Sequence, residues 1–529
     1  MDRGRRSATW WVLRGLALLA AVVLVFVVLY VWPDSRIVVG PETTYLTEPL
    51  DEDGRVDYLA AINQRAAEGV TPENNAAVLY WQALGPGPID EEHREEFFRR
   101  LGMKPLPVDG DYFQSLYELQ ERLDDPEKYA RRNRSRDKRE AMEARHLRRE
   151  RRRDAMGYTP WVLDDDPELA CWLAENQGPI DLFATGTRRA QHFIPMLVRP
   201  NEWEVEPSYS VMASRSYAQD YREMARTLIQ RSMLHSGNGR HKEAWEDCLA
   251  CFRLARHTAR ESIAVEILIN FALVSVAAAG VPTILHEGDF TADELAKMRQ
   301  AFRDVATCAS AAEALNWGER LMALDTIRDF SREPRGLRGG IEWNHVLREA
   351  NRSYDAMVAA TNREMSGEAN ASDTEALEEE QQEALDAEDP WLLAAYPFSR
   401  QARTRHMTKE VVGLLIPAFS SMTADERRCK GRLRRLEMVF AVSLYRAENG
   451  QYPANLSALV PAYLDEVPLD PTNDLRMNYR KQGEGYLVWS VGRNGVDDKG
   501  RNGYDARDAG VDEPWDDEVD LVPRRLKSK

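Results

Sequence analysis

The feature that most constrains this chain is the run from Gly15 to Trp32, Gly-Leu-Ala-Leu-Leu-Ala-Ala-Val-Val-Leu-Val-Phe-Val-Val-Leu-Tyr-Val-Trp, which has no charge and no polar break. As a helix it spans roughly 27 Å, about the thickness of a bilayer's hydrocarbon core. Arg3, Arg5, Arg6 and Arg14 precede it; Asp34, Glu42, Glu48 and Asp51 follow it, with only Arg36 as a nearby basic residue. The positive-inside rule then keeps residues 1–14 in the cytoplasm and carries everything after Pro33 across the membrane. Trp10, Trp11, Tyr30 and Trp32 flank the run at both ends, as interfacial aromatics do. The rival reading is a cleaved signal peptide. Against it, the run is longer than a usual signal core, and no small-x-small site follows Tyr30-Val-Trp-Pro-Asp. The expectation is an uncleaved single-pass anchor in the cytoplasmic (inner) membrane, with the bulk of the chain extracytoplasmic.

The length of 529 residues suggests about three domains. A net charge of −17 argues against general nucleic-acid binding. Five cysteines (Cys171, Cys248, Cys251, Cys308 and Cys429) are too few and too scattered for a disulfide scaffold, and an odd count leaves at least one thiol free. Cys248 and Cys251 form Cys-x-x-Cys inside a helical pattern. A redox pair sits at a helix N-terminus after a strand, so these read as small core residues.

Residues 33–56 read as a tether, and 57–419 as a mainly helical region. Apolar residues recur at helical spacing from Leu59 onward. Thr71-Pro72-Glu73 predicts a helix start with Thr71 as N-cap, and Gly85-Pro86-Gly87-Pro88 a stop. Residues 127–153 hold thirteen Lys or Arg against five Asp or Glu. They read as a solvated excursion, or as a basic arm for an anionic partner. Asp164, Asp165 and Asp166 precede a helix whose dipole accounts for them; a cation site is the alternative. Helices over 214–236, 241–260 and 263–285 form the best-defined block, an αα-hairpin bundle broken at Gly237-Asn238-Gly239. That turn resembles a tetratricopeptide-like repeat, without a second copy. The third helix is apolar but contains Glu266 and Asn270 and is short for a span, so it reads as the buried centre of the bundle. Thr291 and Glu294 form a capping box. Residues 366–389 carry ten acidic residues and no basic one, the pattern of a solvated loop or polar helix.

From residue 420 the pattern changes. A helix ending at Asn449 leads to Asn449-Gly-Gln-Tyr-Pro453, then Pro468-Leu-Asp-Pro471. Two strand patterns follow, at 476–480 and 486–491, then Ser490-Val-Gly492 and an acidic, glycine-rich tail. In this order the motifs resemble the C-terminal domain of the major pseudopilin of type II secretion systems, over about residues 425–523. The resemblance implies a small α+β domain whose acidic loop holds Ca²⁺. On the matching positions it implies the Val491 carbonyl and Asn494, where the family has an Asp, with Asp497, Asp498, Asp516 and Asp517 among the available carboxylates. The chemistry agrees, since Ca²⁺ takes six to eight oxygens. A pseudopilin carries its membrane helix directly on this domain's helix; here the anchor lies about four hundred residues upstream. The domain therefore reads as a borrowed binding or spacing module. The whole layout also resembles large uncharacterised membrane-anchored bacterial proteins, which supplies no activity.

The fold expected is mainly α, helical hairpins after one N-terminal transmembrane helix, with a C-terminal α+β pseudopilin-like domain at 420–529. The function expected is a non-enzymatic scaffold or binding protein with a protein partner in the envelope, linked to a secretion or pilus-like assembly. An envelope hydrolase is the alternative. The chain has no His-Glu-x-x-His and no Gly-x-Ser-x-Gly, and Ser135-x-x-Lys138 lies in the charge-rich segment. His235, His241 and His257 share the hairpin block; they read as isolated surface or core histidines, with a metal site of His257 near Cys248 and Cys251 as the alternative, and a compact pocket joining histidines to carboxylates would favour the hydrolase. The other alternative is a polymer-binding sensor using residues 127–153.

Overall fold

The computed structural model describes residues 14–20, 35–116, 156–197, 217–260, 263–332, 340–387, 390–396, 399–415, 419–492, 495–501 and 518–522. Of the expected anchor, residues 14–20 are helical, with Leu16, Leu18 and Leu19 exposed; the remainder, the basic segment 127–153 and the Ser135/Lys138 pair lie outside the described residues.

The chain is mostly helical with one small antiparallel sheet. In chain order the helices are α1 (Tyr58–Ala66), α2 (Ala76–Leu84), α3 (Arg94–Arg100), α4 (Pro167–Glu175) and α5 (Gln177–Gly186). Then come α6 (Tyr217–Gly237), α7 (His241–Thr258), α8 (Ala264–Glu287), α9 (Ala292–Arg303) and α10 (Arg320–Phe330). The last five are α11 (Trp343–Met365), α12 (Ala371–Asp386), α13 (Pro390–Ala395), α14 (Arg400–Leu415) and α15 (Phe419–Asn449). Two compact units emerge, from the described parts of Met1–Arg65, Met196–Ser214 and Ala312–Ser421, and of Ala66–Pro195, Arg215–Ala311 and Met422–Lys529.

In the first unit α10, α11, α12 and α14 pack around Leu315, Tyr354, Met357, Ala360 and Phe419. The expected tether is docked on this core. The Ser35 N–H donates to the Ile341 carbonyl at 3.0 Å, and Asn344 brackets the chain by accepting from Val38 N–H and donating to the Arg36 carbonyl. Further on, buried Arg328 donates to the Val56 carbonyl at 2.7 Å and pairs with Asp325 and Asp329. The acidic segment resolves as α12, capped by Asn370 with Asp373. Leu377 packs on the core and Glu378 accepts from Ser420 N–H at 2.9 Å, while Asp373, Glu375, Glu379, Glu380 and Glu383 are exposed, which is why a pattern with so little apolar content still forms a helix.

In the second unit α6, α7 and α8 form the central layer. Tyr221, Met224, Ala225, Leu228, Ile229 and Met233 recur at three and four residues on α6 and are all buried. Helix α8 is apolar all round and is long enough to cross a membrane by length and composition; it packs against α6 and α7 with Ile267, Val274, Ala277, Val281 and Ile284 buried. Its Asn270 donates to the Ala255 carbonyl at 2.7 Å and accepts from Ala309 N–H at 2.9 Å, which satisfies the amide inside the core. Helix α2 starts later than the Thr71 signal predicts. Asn75 is the N-cap, accepting from Ala77 N–H, because its side chain is also bonded to both backbone groups of Phe193. Thr71 and Asn74 close a separate turn before it.

The C-terminal residues belong to this second unit. Phe440 of α15 packs edge-on against Trp245 and beside Phe302, and Glu437 receives Arg299 and Arg303. A disulfide joins Cys308 to Cys429, a pairing that the scattered cysteines did not predict. Beyond α15 lie β1 (Asn478–Gln482), β2 (Gly485–Ser490) and β3 (Glu518–Val522) in the order β1-β2-β3, antiparallel, with Tyr486 opposite Lys481 and Val522. The third strand was not read from the sequence. Asp470, 1% exposed, accepts from the Ser490 hydroxyl and from Val491 N–H. It therefore binds the Pro-x-Asp-Pro and Ser-x-Gly motifs into one turn. Tyr452 of the Asn-Gly-x-Tyr-Pro motif meets His286 of α8 at 2.7 Å and accepts from Arg446 at 2.9 Å.

Candidate functional site

The second unit holds a cleft of about 510 Å³ between α4, the start of α5, the C-terminal half of α6 and the first turns of α7. Local sequence positions each wall. Asp166 caps α4 by accepting from Leu169 N–H, with Pro167 in the first turn, so Leu173 and Ala174 are offered on one side. The α6–α7 turn brings Arg231 and His235 over Glu243, Glu246 and Asp247 on the other.

The floor is ionic. Arg231 is bidentate to Asp247, at 2.6 and 2.9 Å, and reaches Asp181 at 2.6 Å. The side chains of Arg231 and Asp247 are 11% and 8% exposed, so this is a buried pair whose two halves need each other. Burial works against the Arg231 charge, but the bonds from Asp247 and Asp181 outweigh it and its pKa is raised. For Asp247, burial outweighs Arg231 and the carboxyl is pushed up. His235 is pushed down to about 4, first by burial and then by Arg240 and Arg231, so it is neutral near pH 7. Its Nε2 lies 3.6 Å from Asp247 Oδ2, and its Nδ1 is enclosed without a hydrogen-bond partner among the described residues.

The cleft joins one histidine, His235, to carboxylates, where a hydrolase reading asks for several. The geometry does not set His235 up as a catalytic base. Both Asp247 oxygens are held by Arg231, 3.6 Å is too long for the orienting hydrogen bond, and an enclosed Nδ1 cannot meet a substrate proton. No Ser, Thr or Cys lines the cleft among the described residues. What the arrangement can do is hold a polar ligand against a fixed set of charges, with an aliphatic wall opposite.

The other residues singled out by sequence are placed as follows. His257 Nε2–H donates to the Arg189 carbonyl at 2.8 Å, so its Nδ1 accepts from the Tyr80 hydroxyl at 2.7 Å. Both ring nitrogens are thus committed away from Cys248 and Cys251. The two thiols donate to the Ala277 and Ala225 carbonyls, and burial pushes both pKa values up. They are core residues. His192 stacks on His257 with ring centroids 5.6 Å apart and meets the Tyr221 hydroxyl at 2.9 Å, a buried polar cluster that no sequence pattern signalled. His241 lies beside Ser236. Asp165 accepts from Val162 N–H and Asp166 caps α4, which gives two of the three adjacent carboxylates backbone roles.

Of the residues implied for calcium, Val491, Asp497 and Asp498 are described; Asn494, Asp516 and Asp517 lie outside the described residues. Asp497 Oδ1 accepts from the Trp489 indole and from Lys499 N–H, and Oδ2 pairs with Lys499 Nζ at 2.7 Å. Against the effect of burial, these bonds hold the Asp497 carboxyl below its usual range. A cation at Asp497 would have to displace Lys499. Among the described residues no group of three or more His, Cys, Asp or Glu is placed to hold a metal.

No known family, curated protein or solved structure matches this chain.

Proposed function

We propose that this protein is a membrane-anchored, extracytoplasmic binding protein. The observation that carries the binding role is the cleft, whose 510 Å³ suits a small polar ligand and whose floor is a buried, pre-paired Arg231–Asp247. The fixed charges cost little to organise when a ligand arrives, which is what a binding site gains from a pre-paired floor. The location rests on the charge asymmetry about residues 15–32 and is supported by the Cys308–Cys429 disulfide, since such bonds persist in oxidising compartments. The motifs joined by Asp470 support reading residues 420–529 as pseudopilin-like, with calcium at the following acidic loop and a protein partner in a secretion or pilus-like assembly.

The test is a thermal-shift screen of amino acids, short peptides and sugars against the full chain in detergent, repeated on Ala174→Trp. Ala174 is exposed and lines the cleft, so an indole there fills it without disturbing the core. A compound that raises the melting temperature of the parent and not of Ala174→Trp supports the reading. A compound that stabilises both equally binds elsewhere and overturns it.

A further inference from the structure

We infer that the α13–α14 hairpin of the first unit rests on the bilayer, with Trp391 in the lipid headgroup layer. The inference rests on the reading of residues 15–32 as the anchor. Its first step is chain length. Two residues, Pro33 and Asp34, separate Trp32, the end of the apolar run, from Ser35, and the three Cα–Cα steps between Trp32 and Ser35 reach at most roughly 11 Å. Ser35 is fixed to the first unit. Its N–H donates to the Ile341 carbonyl, and its hydroxyl accepts from Trp343 N–H at 2.9 Å. The start of α11 therefore sits against the membrane surface.

The second step places the hairpin beside that point. Thr404 of α14 accepts from Glu342 N–H at 3.0 Å, and Glu342 is the residue next to Trp343. Two adjacent N–H groups thus take one hydroxyl from the emerging chain and one from α14. Arg400, one turn earlier on α14, pairs with Glu342. Helix α13 folds back on α14, with the Tyr396 ring edge-on to His406 at 5.1 Å.

The third step is the side chain. Trp391 on α13 is 83% exposed, the highest value for any large apolar residue described. An indole has an apolar body and a polar edge, and tryptophan is enriched where hydrocarbon meets water. The headgroup layer is about 5–7 Å deep on each side, within the reach allowed by the two connecting residues. Acidic α12 packs on α14, so the contact does not depend on anionic lipid, and phosphatidylcholine suffices.

The test uses the full chain in phosphatidylcholine vesicles. With Cys171→Ser removing the exposed thiol, an NBD fluorophore is attached at Trp391→Cys or at Leu18→Cys. Quenching is read with lipid spin-labelled on the headgroup and with lipid spin-labelled on the acyl chain. Position 391 is expected to lose emission to the headgroup label, and position 18 to the chain label. Quenching at 18 with none at 391 overturns the inference and leaves the anchor standing. No quenching at 18 overturns the anchor and the inference with it. As a check that keeps the native surface, total tryptophan emission should lose less to headgroup-labelled lipid in Trp391→Phe than in the parent; equal loss overturns the inference.

Discussion

The Cys308–Cys429 bond makes the sharpest quantitative prediction. It closes a sequence separation of 121 residues inside the second unit. The loop-entropy relation gives a loss of about 16 cal/mol/K from the unfolded chain, or about 5 kcal/mol at 25 °C. Measured disulfides more often contribute 2–4 kcal/mol, because the reduced unfolded chain retains some structure. The native arrangement does not depend on the bond alone. Glu437 of α15 still receives Arg299 and Arg303, and Glu426 still accepts from Ala311 N–H. The double variant Cys308→Ala/Cys429→Ala should therefore fold but melt earlier. With more than three hundred residues in the unit, the unfolding entropy near the transition is about 0.7 kcal/mol/K, so 2–5 kcal/mol corresponds to about 3–7 °C. Calorimetry on the parent, the parent with reductant and the double variant measures this. Thiol titration of the denatured, unreduced parent should find three free thiols, those of Cys171, Cys248 and Cys251. Five free thiols in protein taken from its native compartment, or a transition indifferent to both reductant and substitution, refutes the reasoning.

Other outcomes follow from single positions. A Cβ added at Gly237 would lie 2.0 Å from the Trp161 carbonyl oxygen, whereas Gly239 meets nothing but has φ +72°. Gly237→Ala should cost about 1–3 kcal/mol or more and Gly239→Ala about 1–2, in urea unfolding; the reverse order would show that the α6–α7 turn is not packed on Trp161. His235 has a folded pKa of about 4 against an ordinary 6.5, so unfolding takes up a proton between these values. Its contribution is complete above 6.5 and is lost as pH falls toward 4, amounting to about 1–3 kcal/mol after screening at the open side of the cleft. His235→Gln should flatten that part of the stability–pH curve, and an unchanged slope would contradict the burial. Calcium in hundredfold excess over its dissociation constant should stabilise the C-terminal part by about 2.7 kcal/mol, with the effect reduced in Asp497→Ala. A melting temperature indifferent to calcium and chelator would remove the metal from the proposal.

The helices were legible because their signals are local. The capping box at Thr291 and the stop at Gly450 each lie within a few residues, and the structure places helix ends there. Thr71 misled because two caps compete within five residues, and the winner was chosen by Phe193, more than a hundred positions away. The acidic segment was ambiguous for a related reason. Leu377 is a weak signal on its own, and α12 is held by contacts far away in sequence, Leu377 and buried Thr374 on the first unit and Glu378 on Ser420 N–H. The disulfide is a pure long-range pairing with no local signal, and β3 carries only a four-residue alternation, Glu518-Val-Asp-Leu521, inside an acidic tail.

The candidate site was less legible than the fold, and the reason is physical. Arg231 and Asp247 sit at positions where the stripes of α6 and α7 face inward, and a sequence reading assigns charged residues at such positions to the nearest polar face. Only the antiparallel return of α7 shows that each charge is buried against the other, so that neither is a surface residue. The available signal was the spacing. Arg231 precedes the Gly237–Gly239 turn by six residues and Asp247 follows it by eight, so an αα-hairpin closing at that turn brings them level. Two buried opposite charges at similar distances from a tight turn are better evidence for a pre-organised floor than any histidine in the block. Of those histidines, His257 proved committed to Tyr80 and Arg189, and His235 enclosed. The pair that shapes the cleft contains neither a histidine nor a thiol, and its signal is its place on either side of the turn.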